Sequence, residues 1–368
     1  DTSTLSWIVA NPRERRLTVA IADELAPSLG AGARRVRLRL APGAAQQAST
    51  TICPSRRGRY RISELVVRVD GPLGLASRQG RRAMPVELRV YPAFGSRGDA
   101  ELRIARSRVL DIGLRSAVER GQGTDFDQLR EYGVDDDARR IDWAATARAA
   151  KPIVRTYRAE RNQTVAVLLD NGRTMAGTIG GVPRVEHAMD AVLMLASVVG
   201  RLGDRVGLVA FDRQVRAVVP PASGAHQVLR VSEALYRLEP ELAESDYQGA
   251  FVATLARFPR RALLCILTEL TDESLVETLL PALPLILRTH LVVIGAVRDP
   301  EIGAWAADEA STPVEVYRQV AALQSRAQRR LMAGRLRGLG AVVVDAEPGA
   351  LAPALADAYL RVKATGRL

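Results

Sequence analysis

From residue 163 to the end of the chain, apolar runs recur at intervals: QTVAVLLD, RVGLVAF, ALLCILTEL, THLVVIGAV and AVVVDAEP. A strand with no polar face must be covered on both sides. Between these runs lie segments with apolar residues at helical spacing. They are RVEHAMDAVLMLASVVGRLG, AHQVLRVSEALYRL, YQGAFVATLARF, DESLVETLLPALPLILR, the stretch from Thr312 to about Leu339, and LAPALADAYLRVKA. RVGLVAF and QVRAVVPPA, close in sequence, pair as short strands. Strands alternating with helices predict a doubly wound, mostly parallel α/β sheet with helices on both faces.

The first hundred residues follow another rule. LSWIVANP, RLTVAIADEL, RRVRLRLAPG, STTICPS, GRYRISELVVRVDGPLG and PVELRVYPAF alternate with a period of two, broken by Gly, Pro and Asn. In RVRLRL, Val36, Leu38 and Leu40 face one way and the arginines the other. Several short strands and no long helix predict a small β-sandwich-like domain. At 368 residues the chain exceeds one typical core. The division is residues 1–98 as the β-sandwich-like domain, 99–162 as a connecting segment of helix plus strand, and 163–368 as the doubly wound domain.

Nearly all of the net charge of +11 lies in the first part, where residues 1–98 hold 17 arginines against 7 acids. A nucleic-acid groove would interleave that charge with aromatic side chains. Trp7, Tyr60, Tyr91 and Phe94 are all this part offers, and no nucleic-acid motif accompanies them. An anionic membrane surface is a second reading, and a solvated surface in an arginine-rich chain a third; Lys151 and Lys363 are its two lysines. No run reaches the roughly 18 apolar residues of a membrane span. Cys53 and Cys265 stand far apart, which predicts neither a disulfide framework nor a metal cluster and agrees with a reducing compartment. The chain opens Asp-Thr-Ser-Thr, so a segment upstream of it is expected.

In doubly wound sheets, ligands gather at the carboxyl ends of the strands. Asp170 ends the first apolar strand, DNGRTM follows it, SDYQG opens a later helix, and Glu269 ends ALLCILTEL. Carboxylate and hydroxyl oxygens at three such places suit a hard cation, Mg²⁺ or Mn²⁺. Asp170 and Thr174 would be ligands, with Ser245, Asp246 and Glu269 as helpers. The competing reading is that the acids merely cap the helices that follow. An enzymatic alternative makes Asp170 the centre of a metal-dependent phosphate-ester hydrolase. That chemistry wants a second acid two residues on and a downstream Lys. Position 172 is Gly, and no Lys lies between Lys151 and Lys363. His187, His226 and His290 accompany no nucleophile elbow, and there is no P-loop.

The order of strands and helices from residue 163 resembles a von Willebrand factor A domain. The metal-dependent adhesion motif of that family is D-x-S-x-S, then a distant Thr and a distant Asp. Here Asp170-Asn-Gly172-Arg-Thr174 matches in Asp170 and Thr174 and lacks a hydroxyl at Gly172. The distant positions fall at Ser245 or Asp246 and at Glu269. Upstream, GTDFDQLREY, DD-x-RRIDW-x-x-x-AR and VRTYRAE resemble the signature of the bacterial domain of unknown function 58 family. RRGRY, DGPLGL and VYP of the first domain fit the same pattern. The resemblance implies a protein-binding scaffold, not an enzyme. It also implies membrane helices ahead of the β-rich part, a place on the cytoplasmic face of the bacterial inner membrane, and a MoxR-type AAA+ ATPase as partner. No specific nucleic acid is expected.

That signature stretch is dense in charges of both signs. One expectation is a paired network joining the domains, made by Asp135, Asp136, Arg139, Asp142 and Arg148 with Trp143 as its apolar anchor, because buried charges persist only when paired. A helix capped by Asp135 or Asp136 would run to about Ala150. The other expectation is a partner interface displaying Arg130, Glu131 and Arg139 beside Phe126 and Tyr132.

Overall fold

The computed structural model describes residues 2–23, 25–71, 74–105, 125–133, 138–158, 163–270 and 277–364. The chain divides into two compact units, Asp1–Pro92 and Ala93–Leu368.

The first unit contains β1 (Ser3–Ala10), β2 (Leu17–Asp23), β3 (Arg35–Leu40), β4 (Ala45–Ile52), β5 (Gly58–Asp70) and β6 (Ser77–Val90). β1 and β4 pair as one antiparallel sheet, and the other four form a second in the order β3-β2-β5-β6. Trp7 and Ala48 from the first sheet pack on Ile21 and Leu65 from the second, which makes the unit a small sandwich. The buried indole of Trp7 is satisfied by Asp23, at 3.0 Å. β3 alternates as its sequence requires: Arg35, Arg37 and Arg39 are exposed, and Val36, Leu38 and Leu40 turn inward. At the sheet edge, β6 is exposed on both faces from Ser77 to Glu87.

In the second unit, β7 (Asp125–Glu131), α1 (Trp143–Ala149) and β8 (Ile153–Arg158) precede the large sheet. β7 and β8 form an antiparallel pair. The sheet region then runs β9 (Thr164–Asp170), β10 (Thr178–Ile179), β11 (Val182–Pro183), α2 (Arg184–Arg201), β12 (Arg205–Phe211), β13 (Val215–Ala222) and α3 (Ala225–Leu235). It continues α4 (Tyr247–Arg257), β14 (Leu263–Leu267), α5 (Leu279–Leu287), β15 (Leu291–Val297), α6 (Pro300–Ala307), α7 (Pro313–Gly338), β16 (Val342–Ala346) and α8 (Leu351–Ala364). Six strands form one sheet in the order β13-β12-β9-β14-β15-β16. β13 pairs antiparallel with β12, and the other neighbours are parallel.

Each face of this sheet carries its own core. Val165, Val167 and Leu169 of β9 pack with α2, α3 and α8. Ala166 and Leu168 face the other way, against α4, α5 and α7. Alternation of side chains along a strand thus puts apolar groups on both faces, and the chain supplies helices for both.

One element differs from expectation. The helix predicted from Asp135 or Asp136 begins at Trp143, because Asp142 is its cap: Asp142 Oδ1 accepts the N–H groups of Ala144 and Ala145 at 3.0 Å each. Residues 138–140 before it form a single 3₁₀ turn. The helix expected at Asp272–Arg288 is present over Leu279–Leu287, and residues 272–276 lie outside the described residues. The long helix expected at Thr312 is α7, and it starts with a reciprocal capping box between Thr312 and Glu315. The N–H groups and hydroxyls of Ser311 and Thr312 hold the Glu315 carboxyl below its ordinary pKa.

Candidate functional site

The carboxyl ends of β9, β12 and β14 meet where the strand order reverses direction, with β9 first in sequence and its neighbours coming from opposite sides. Asp170, the last residue of β9, is 1% exposed. Its carboxylate accepts from four groups of the chain. Gly172 N–H (2.9 Å) and Ser245 O–H (2.5 Å) donate to Oδ1. Tyr247 O–H and Thr268 O–H donate to Oδ2 at 2.7 Å each. The two hydroxyl oxygens also lie 2.7 Å from each other. A carboxylate offers about four lone-pair positions, so the ring of protein donors fills it.

The loop after β9 is built around this carboxylate. Asn171 N–H donates to Phe211 O at 2.7 Å, and its Nδ2 to Glu239 O at 2.7 Å, which fastens the loop to the end of β12 and to the loop before α4. Gly172 has a φ of −82°, open to any residue. Space is what demands glycine: a Cβ at 172 would fall on Ser245 Oγ and lie 3.0 Å from Ala243 O. The hydroxyl that the motif lacks at 172 is therefore supplied by Ser245, which occupies the same room.

Of the expected metal residues, the fold brings Asp170 and Ser245 together. Asp246 is exposed and caps α4, accepting from Gly249 N–H at 2.9 Å. Thr174 is half-buried; its carbonyl accepts from Arg184 Nη1 at 3.2 Å. Glu269 does not reach Asp170. Its neighbour Thr268 reaches Asp170, while Glu269, 2% exposed, pairs with Arg329 and, at 3.2 Å, with Arg184. Among the described residues, no cluster of three His, Cys, Asp or Glu side chains gathers to hold a metal ion. Ser245 and Thr268 bring hydroxyl oxygens to the Asp170 carboxylate, donors a hard cation accepts, but a single carboxylate stands there and the second acid, Glu269, is paired with arginines, so the set fits a bound Mg²⁺ or Mn²⁺ poorly.

Sequence reasoning missed Tyr247, Thr268, Arg184 and Arg329. Arg329 was legible in retrospect, since it falls on the apolar side of α7 with Ala322, Met332 and Leu336. Tyr247 packs edge-on to Phe211 and Phe251, with ring centres 5.4 and 6.3 Å away, and nothing in its spacing announced a polar role.

The signature segment belongs to the second compact unit. Asp135 and Asp136 lie outside the described residues, as does the side chain of Phe126. Trp143, expected as the apolar anchor of that network, is 71% exposed; it is the first residue of α1, just past the Asp142 cap. Glu131 pairs with Lys151. Arg130 Nη1 donates to Glu131 O at 3.1 Å, Tyr132 N–H to Pro152 O at 3.0 Å, and Arg148 Nε to Ala144 O at 3.2 Å. Arg139 is exposed.

A six-stranded sheet with one antiparallel edge and helices on both faces is the doubly wound α/β architecture expected from the sequence. The chain belongs to the family described as protein of unknown function DUF58, which matches residues 128–312. Among solved structures, the chain is similar to the conserved hypothetical protein BatB from Bacteroides thetaiotaomicron, with 14% identity, a TM-score of 0.37, and coverage of 56% of this chain and 99% of that one. It is also similar to an aerotolerance-related membrane protein from Bacteroides fragilis (13% identity, TM-score 0.36, 55% of this chain and 100% of that one). A third is proximal thread matrix protein 1 from the mussel byssus, solved with a zinc-occupied MIDAS motif (11%, TM-score 0.33, 56% and 46%). No curated protein matches the chain.

Proposed function

We propose that this chain is a non-enzymatic, protein-binding scaffold that docks its partner on the signature surface around Trp143, without a bridging metal. The observation that carries the reading is the indole of Trp143, 71% exposed at the head of a capped helix. Arg130, Glu131, Arg139 and Arg148 share this hairpin and helix segment. Tryptophan and arginine are the side chains that most often dominate a protein–protein interface. A large aromatic left in water gains on being covered. The family resemblance supports a MoxR-type AAA+ ATPase as the partner. It also supports attachment to the cytoplasmic face of the bacterial inner membrane through a segment upstream of this chain.

Adhesion through Mg²⁺ or Mn²⁺, with a partner carboxylate completing the coordination, needs an open cation, and the saturated Asp170 argues against it. The same saturation argues against Asp170 as a hydrolytic nucleophile, because both of its oxygens are engaged.

The test is binding of the purified MoxR-type ATPase by calorimetry, with wild type and Trp143→Ala. The expected result is at least a tenfold loss of affinity, about 1.4 kcal/mol, with the melting temperature unchanged within ~1 °C, as for a surface change. Equal affinity in the two proteins would sink the reading.

A further inference from the structure

Glu269 sits where the adhesion motif places its last acid, yet it is enclosed by guanidinium groups. Arg329 reaches in from α7, with its side chain 9% exposed. Its Nη1 pairs with Glu269 at the end of β14, its Nη2 donates to Val297 O at the end of β15 (2.9 Å), and its Nε donates to Asp345 in β16 (2.9 and 3.0 Å). One planar side chain thus ties the ends of three adjacent parallel strands, a task its fixed fork of donors suits and a lysine could not perform. Arg184, at the start of α2, joins the other side: its Nε lies 3.2 Å from Glu269 and its Nη1 donates to Thr174 O. Two arginines face two acids, Glu269 and Asp345. The fold therefore supplies at this edge as much positive charge as a divalent cation would bring.

We propose that Arg184 and Arg329 take the place of a cation at Glu269, the acid where the motif of a von Willebrand factor A domain ends, and that Ser245, Tyr247 and Thr268 separately close Asp170 at the neighbouring strand end. The edge is then permanently neutralised and permanently shut. A divalent ion arriving there would meet arginines at Glu269 and, at Asp170, a carboxylate already engaged by four donors, and cation binding would first have to break the hydrogen bonds that hold four strand ends and α7 together. This inference concerns the sheet edge and does not depend on where a partner docks.

Two measurements test it, both on the full chain and neither needing a partner. The first is a melting curve in EDTA and in millimolar MgCl₂ or MnCl₂. A ligand selective for the folded state raises stability with its concentration. The expected shift is none; a saturable rise that disappears in Asp170→Ala overturns the proposal. The second compares Arg329→Met with the double variant Glu269→Gln/Arg329→Met. Removing one partner of a buried pair leaves the other uncompensated, so the single variant is expected to melt on the order of 10 °C lower. Neutralising Glu269 as well is expected to restore a substantial part of that loss. Arg329→Met melting with the wild type would overturn the proposal, and so would a double variant no more stable than the single. Should Arg329→Met fail to fold, recovery of a folded protein by the double variant gives the same answer.

Discussion

Tyr247→Phe deletes one oxygen atom and nothing else, which makes it the sharpest probe of the closed site. The ring stays edge-on to Phe211 and Phe251, so no cavity forms. The hydroxyl donates to Asp170 Oδ2 at 2.7 Å and lies 2.7 Å from Thr268 Oγ1, all of it buried. A hydrogen bond to a charged group contributes about 1.5–3 kcal/mol. Thr268 still donates to the same oxygen after the change, so the lower half of that range applies, near 2 kcal/mol. In a unit of this size each kcal/mol moves the melting temperature by about 2–3 °C, so Tyr247→Phe is expected to melt roughly 4–6 °C lower. Urea unfolding should show the midpoint displaced and the slope unchanged, since the surface exposed on unfolding is the same. Tyr317→Phe, at a tyrosine 79% exposed, is the control. It should stay within about 0.5 kcal/mol of wild type. If the two variants behaved alike, the hydroxyl would hold nothing at Asp170, and the closure argued above would fail.

Three other outcomes follow from particular residues. Asp142→Ala should cost about 1 kcal/mol, ~2–3 °C, by removing the α1 cap, while Asp142→Asn, which also caps, should keep most of it; thermal unfolding of both decides. Burial lowers the pKa of His290 and of His187 below the ordinary 6.5. The unfolded chain therefore binds more protons just below pH 6.5, so stability is full above that value and falls as the pH drops through it. His290→Gln should flatten part of this slope in urea titrations across that range, because protonating Nδ1 would forfeit the bond it accepts from Ala262 N–H at 3.2 Å. Of the two thiols, Cys53 is exposed, whereas burial pushes Cys265 up to about 12. A thiol-reactive dye should label one group in the native protein and the second only in urea.

The doubly wound sheet was legible because its strands are apolar on both faces and its helices are long, signals that need no knowledge of neighbours. Val36, Leu38 and Leu40 likewise announced the sandwich. α6, Pro300–Ala307, escaped notice because it buries none of its residues fully and so shows no strong apolar face. The site was legible only in its first residue. Asp170 ends a strand, which marks it, but its partners lie 75, 77 and 98 residues away. Pattern could supply residue types at those distances and not directions. That Thr268 and not Glu269 reaches Asp170, and that Trp143 lies exposed, are matters of direction. They are settled by which way a side chain leaves the backbone.

The long edge strand β6 bears on how the molecule behaves in a test tube. Its outer side carries backbone groups that no other strand of the sheet uses, an open template for a second copy. Arg78 and Arg82 lie along it, Arg81 pairs with Glu64 and Arg89 with Glu87, and Pro85 in its middle has no N–H to offer. Like charges meeting strand to strand keep copies apart only while the field between them survives. At about 1 M salt that field is cut off within some 3 Å. Preparations should therefore stay monodisperse in dilute buffer and begin to associate edge to edge in concentrated salt. Light scattering along a salt gradient would display this as a rising particle mass, and size unchanged throughout would show that charge is not what keeps the copies apart.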